Sequence, residues 1–364
     1  MPDMTAGDDA TQIHTDYGVI NVGTILTASE VIEIGKGAAR TVLMESWPFA
    51  EKLIDQRIHE ILESIIRKMQ EKDESLLNRF RDPRFLGPLV SIERSYAETG
   101  DPELGGILSG LLADLAGEPI RSRREIVLRE SIECAPKLTT QHLNALTVIL
   151  RLTRFTHKLV VDPADLIRLL DSELRPYFRA IPTDSFDYSY MGATQAGTHV
   201  PAIGHTVYSQ IFTAHRNAMY PPFEINEIAQ LYAGPSIEQI TSDMNEIAHM
   251  MELPYALSQM GIEKLKLKSD LVTKILSPNP NVVKSLTEAE TKFREFLRGK
   301  SINEQQFTDL IRDQSPELAE FFDLIERTGA LHFQLSPVGI MLARHEMENR
   351  SPETAAQVDT MFED

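Results

Sequence analysis

Between Asp101 and Leu150 the chain carries three helix starts and two proline stops, and that punctuation constrains the fold more than any other feature. Asp101 supplies an oxygen for the unpaired amides of a first turn, Pro102 occupies the first helical position, and Glu103 complements the positive helix end. Leu104, Ile107, Leu108, Leu111, Leu112 and Leu115 step by three and four into a full apolar stripe. Gly105, Gly106 and Gly110 interrupt it, each lowering helix propensity by up to ~1 kcal/mol relative to Ala. That cost is tolerated where another helix must approach closely. Pro119 ends this helix, a second is expected over Arg121–Glu133, and Pro136 ends that one. Thr139 or Thr140 caps a third, which carries Leu143, Leu146 and Leu150. Asp162-Pro163 repeats the same start ahead of Leu166, Ile167, Leu169 and Leu170. Short links between helices of this length imply neighbours packed largely antiparallel.

The 364 residues are 42% hydrophobic and 25% charged, which is the make-up of a globular chain of about two domains. A formal net charge of -18 disfavours a broad nucleic-acid footprint, because an acidic surface repels phosphate. A single cysteine, Cys134, leaves no intramolecular disulfide and no multi-cysteine zinc site, and it reads as a small buried hydrophobe. No run reaches the ~18 to 20 apolar residues of a membrane span, and the acidic N-terminus lacks the basic and apolar regions of a secretory signal. A cytoplasmic location is therefore expected.

Residues 1–26 form a flexible or oligomer-pairing segment, with the β-prone run Gly18 to Gly23 inside it. One short strand is not stable alone. Val19, Ile20 and Val22 are thus candidates for pairing with a second copy. Residues 27–180 read as a helical core domain. Within it Ser46-Trp47-Pro48 opens a long helix whose Trp47, Ala50, Ile54, Ile58, Ile61, Ile65 and Met69 form a coiled-coil-like seam. That seam either packs on its own domain or, through Ile54, Ile58, Ile61 and Ile65, forms a subunit interface. Residues 181–277 are an irregular insertion followed by helices near 206–217, 224–232, 235–251 and 254–276. Residues 278–350 run helix, helix, strand, helix, in the order of a winged-helix-like domain. Residues 351–364 read as an acidic tail. The expected class is mainly α: a multi-helix core, a short N-terminal β-prone segment, an irregular central insertion and a small winged-helix-like C-terminal domain.

The run Tyr96 to Leu104, followed by LLADLAG and APKLT, resembles an uncharacterised bacterial family of mainly helical proteins known only by locus-tag names. The likeness continues through the Gly18–Gly23 prefix, the helix beginning near Ala28, and LSPVGIMLA at 335–343. A more distant similarity is to the abortive-infection alpha family, which implies antiphage defence. These motifs are structural punctuation, and no functional residue is carried over from either resemblance.

Chemistry-bearing groupings are sparse. His199, His205 and His215 lie in the irregular region near Asp184 and Asp187, but their spacing matches no standard metal-ligand pattern. They are either weak metal candidates or imidazoles bonded to backbone. His345-Glu346 lacks the second histidine of an HExxH zinc motif, Asn349 standing in its place, and reads as a solvated helix face. There is no phosphate-binding P-loop and no nucleophile elbow. Arg121, Arg123, Arg124 and Arg129 make the most basic stretch of an acidic chain. They either bind an anionic ligand or acidic partner, or pair with Glu118, Glu125, Glu130 and Glu133. The leading expectation is a non-enzymatic, homo-oligomerising sensor, adaptor or scaffold with a protein partner, no cofactor and no metal. The alternatives are a metal-dependent or hydrolytic effector using the three histidines, and a DNA-binding regulator acting through the C-terminal domain.

Overall fold

In the computed structural model, Asp101 does what its position demands. Its Oδ1 accepts hydrogen bonds from the amides of Glu103 (2.9 Å) and Leu104 (3.3 Å), and helix α4 runs from Pro102 to Gly117. Asp82 and Asp162 cap the other Asp-Pro helices, α3 (Pro83–Thr99) and α7 (Pro163–Leu174), by the same bond to the amide two residues on. The structure describes residues 11–15, 18–22, 26–46, 51–157, 160, 162–200, 205–221, 280–348 and 350–362, with isolated stretches between 223 and 279. The described residues are mainly helical.

The chain divides into two units that interleave along the sequence. One comprises residues 1–147, 189–198 and 335–364, and the other 148–188 and 199–334. The segment 278–350 is therefore divided at Leu335, although its expected order of helix, helix, strand and helix is present.

The first unit begins with strands β1 (Thr11–Thr15) and β2 (Gly18–Val22), an antiparallel hairpin in which Ile13 faces Ile20 and Thr11 faces Val22. Helices α1 (Ala28–Ser46) and α2 (Glu51–Lys72) follow. The expected helix start at Trp47 and Pro48 lies outside the described residues. A 3₁₀ turn at Glu74–Arg81 leads into α3. Next come α4, α5 (Arg123–Cys134, capped by Ser122) and α6 (Thr140–Arg154), close to the boundaries read from sequence. Helix α8 (Ser185–Gly192) leads into this unit's middle segment, which ends at strand β3 (Gly197–His199). The last two helices are α14 (Pro337–Glu348) and α15 (Pro352–Asp359).

Helix α4 is the centre of this unit, with every residue from Ile107 to Ala116 buried. It packs against α2, α3, α5 and α14. A helix contacted on so many sides cannot keep a solvent stripe, so its polar residues Ser109 and Asp114 are buried too. Helix α14 is in the same position. It buries Arg344, His345 and Glu346 among Val338, Met341, Leu342 and Met347. Gly339 shows how tightly it is held, because a Cβ there would lie 2.0 Å from the Ala196 carbonyl oxygen. The expected solvated face at His345-Glu346 is thus overturned by close packing. The expected acidic tail is likewise largely helix: α15 lies on α14 and buries Ala355 and Val358.

The second unit contains α7, α9 (Val207–Ala214), α10 (Pro280–Lys284), α11 (Glu288–Lys300), α12 (Glu304–Gln314) and α13 (Pro316–Thr328). Reciprocal capping boxes at Thr287/Glu290 and Asn303/Gln306 set the starts of α11 and α12. Its core is aromatic and aliphatic, including Tyr208, Phe293, Phe307, Phe322 and Ile325. Strand β7 (Phe333–Leu335) falls where alternation in the sequence places one. The helices expected over 224–232, 235–251 and 254–276 lie mostly outside the described residues. Three short strands occur in that region: β4 (Phe223–Glu224), β5 (Met251–Glu252) and β6 (Lys264–Leu267), in the antiparallel order β4-β6-β5. Lys264-Leu265-Lys266-Leu267 alternates with period two, which is a strand pattern inside an expected helix.

Candidate functional site

The four arginines of the basic stretch do not act as one patch. Arg121 and Arg123 are exposed. Arg129 donates to Glu125 Oε1 (2.6 Å) and to the Arg84 carbonyl (3.1 Å), tying α5 to α3. Arg124 turns inward, with Nη2 3.4 Å from Asp114 Oδ2 and 2.9 Å from Asp359 Oδ1, and with Nε 3.3 Å from Glu118.

Asp114 is the hub of the site that results. Its side chain is 3% exposed, and Lys72, Arg124, Arg344 and His345 all approach it. The five residues come from α2, α4, α5 and α14. Arg344 extends the network outward, pairing with Glu348 Oε1 (2.9 Å) and Asp359 Oδ2 (3.0 Å). Lys68 donates to the Gly106 carbonyl at 2.8 Å on the α2 side. Burial of several charges in one place is costly unless each has opposite charge and hydrogen bonds around it, and here the signs alternate.

The imidazole of His345 is 1% exposed. Burial, with the Arg344 charge adding to it and Glu348 opposing, brings its pKa down to about 4, so the ring is neutral at pH 7. Its Nε2 faces Asp114 Oδ2 at 3.4 Å, outside hydrogen-bond alignment, and its Nδ1 lies 3.4 Å from Arg344 Nη1. The same Nδ1 lies 3.5 Å from Glu348 Oε2, so it stands between a guanidinium donor and a carboxylate acceptor. Burial works against ionisation of Glu348, but the His345 contact and the Arg344 and Lys68 charges prevail and bring it down to about 2. Burial lowers both Lys68 and Lys72.

A second buried carboxyl is of a different kind. Glu93 on α3 is 0% exposed, and neither oxygen has a hydrogen-bond partner among the described residues. Desolvation alone raises its pKa to about 9, so it is a neutral acid at pH 7.

Ile54, Ile58, Ile61 and Ile65, the candidate subunit interface on α2, are all buried within the first unit, where α2 packs on α1, α3 and α4. The chain's own helices cover that seam. The side chains of Val19, Ile20 and Val22 lie outside the described residues, and their backbone belongs to β2.

The three histidines are not gathered at one point. His215 is buried with both ring nitrogens engaged: Nδ1 bonds to the Ile211 carbonyl (2.9 Å) and Nε2 accepts from the His157 amide (3.1 Å). His199 stands beside His332, ring centroids 6.3 Å apart. His205 and His332 line a cavity of about 340 Å³ with Val207, Ile325, Glu326 and Leu331. Among the described residues no group of three or more His, Cys, Asp or Glu is placed to hold a metal ion. Cys134 is buried, and burial pushes its thiol pKa up.

Sequence reasoning missed the Asp114 network because it read His345-Glu346 as a solvated helix face. The apolar residues around them, Met341, Leu342, Ala343 and Met347, were the signal that this helix has no free face.

No helix among the described residues is long and apolar enough to cross a membrane. Residues 26–356 match a protein-family model described only as an uncharacterised "-like" family. No curated protein matches the chain. No solved structure matches it either.

Proposed function

The chain belongs to the family matched over residues 26–356, and from that premise we propose that it is a non-enzymatic, self-assembling adaptor or scaffold that recruits a protein partner. The observation that supports this reading is the β1–β2 hairpin. It is a sheet of two five-residue strands among the described residues, ahead of helix α1 in the first unit. An isolated two-stranded hairpin is marginal in water, and its outer edges carry unpaired backbone donors and acceptors. Addition of strands from a second copy satisfies both needs at once. The register supports such pairing, with the β-branched pairs Ile13/Ile20 and Thr11/Val22 alternating with the polar pair Gln12/Asn21. Antiphage defence is the setting this reading takes from the likeness to the abortive-infection alpha family.

Light scattering on the full chain and on a chain lacking residues 1–25 tests the assembly. The expected result is an oligomer that falls to a smaller species on deletion. A monomer in both cases would sink the reading. The histidine-based alternative has less support, since His215 has no ring nitrogen to spare.

A further inference from the structure

Asp359, the last residue of α15, presents its two carboxylate oxygens to two guanidinium groups from different helices. Oδ1 lies 2.9 Å from Arg124 Nη2 and Oδ2 lies 3.0 Å from Arg344 Nη2. Behind this pair is the Asp114 network. Lys72, Arg124 and Arg344 approach Asp114, and Glu118, Glu348 and Asp359 pair with the two arginines at its edge. His345 is neutral. Removal of Asp359 takes one anion from both guanidinium groups at once, leaving Arg124 with Asp114 and Glu118 and Arg344 with Glu348, so a carboxylate position between them is vacated.

The helix that delivers this carboxylate is short. It has eight residues, well below the ~12 to 15 at which an isolated helix is even marginal in water. Ala355 and Val358 are its only buried side chains among the described residues. Arg124 and Asp359 are each about a fifth exposed (23% and 22%), so the contact can be reached from solvent.

We propose that Arg124 and Arg344 form a carboxylate-binding site that Asp359 fills from within the chain, and that an acidic peptide segment of a partner protein takes its place, releasing α15. Asp359 itself indicates the ligand, because its carboxylate already fits between the two guanidinium groups. Each guanidinium gives one N–H to a separate oxygen, a bridging geometry that suits a planar carboxylate. The site is independent of assembly through the N-terminal hairpin, because all its residues lie in α2, α4, α5, α14, α15 and the turn at Glu118.

The test uses the full chain and a labelled peptide with the sequence of residues 351–364. The Asp359→Asn chain is expected to bind this peptide about tenfold more tightly than the native chain, since the internal competitor no longer holds the site closed. Adding Arg124→Gln to Asp359→Asn abolishes that binding. In the native chain, excess peptide speeds hydrogen exchange at the α15 amides. Equal binding by the native and Asp359→Asn chains, or binding that survives Arg124→Gln, overturns the proposal. Inorganic phosphate competing as well as unlabelled peptide at matched ionic strength overturns the choice of a carboxylate. If Asp359→Asn does not fold, the exchange measurement on the native chain decides alone, and unchanged α15 amides refute the site.

Discussion

Gly110 of α4 and His345 of α14 approach so closely that a Cβ on the glycine would lie 2.7 Å from the imidazole Nδ1 and 3.2 Å from Lys68 Nζ. The absence of a side chain at Gly110 is what admits a buried imidazole beside Asp114. Gly110→Ala is expected to destabilise the protein by ~1–3 kcal/mol through overpacking, after a helix-propensity gain of up to ~1 kcal/mol is overcome. Urea denaturation measures it. In a His345→Ala background the same substitution costs less, and an unchanged cost would place the clash elsewhere.

Two of the buried titratable groups, Glu93 and His345, oppose each other along the pH axis. Glu93 has its folded pKa raised from 4.5 to about 9. The unfolded chain loses that proton first, so the native state is favoured below pH 4.5 and loses stability as pH rises toward 9. His345 has its folded pKa lowered from 6.5 to about 4. Its contribution is present above pH 6.5 and is lost as pH falls toward 4. Each changes stability by at most ~1.4 kcal/mol per pH unit. The two slopes therefore cancel near pH 4.5–6.5, and stability falls above 6.5. Glu93→Gln removes that alkaline fall and uncovers the His345 slope, so stability of the variant rises from pH 4.5 to 6.5 and then levels. Urea midpoints from pH 5 to pH 8.5 check this, and an unchanged slope in the variant would exclude Glu93 as its source.

Asp114 and Glu98 contrast a buried counter-charge with an exposed one. Asp114→Ala leaves Lys72, Arg124 and Arg344 around an empty hub and is expected to cost about 3–5 kcal/mol. Glu98 pairs with Arg94 at 3.1 Å on the surface of α3, and Glu98→Ala costs no more than ~1 kcal/mol. Thermal or chemical denaturation of both variants gives the comparison, and similar costs would refute the hub role.

Ile58 separates packing from assembly. Its side chain is 1% exposed within the first unit, so Ile58→Ala is expected to cost about 2–5 kcal/mol. Oligomeric state at a temperature where the variant is folded stays unchanged, because the chain's own helices cover this seam. Dissociation caused by Ile58→Ala without loss of stability would return the seam to an intersubunit role.

Residues 101–150 show how far local rules reach. The Asp-Pro starts, the proline stops and the three-four leucine spacing are all decided within a few residues of chain, because capping and propensity act over one helical turn. Gly110 was legible in the same way, as a place where another helix must come close. The identity of that helix was not, since α14 lies more than two hundred residues later in the sequence.

The sequence by itself determined that this is a mainly helical chain, where α4, α5 and α6 begin, and that Cys134 is buried. Only the tertiary structure decided that Arg124 faces Asp114 rather than solvent, that Glu93 is a protonated core acid, and that the C-terminal segment returns as α15 to close the network. The physical reason is that a charged residue carries the same local pattern on a surface and in a core. Its fate depends on whether distant helices remove its water and bring an opposite charge in exchange.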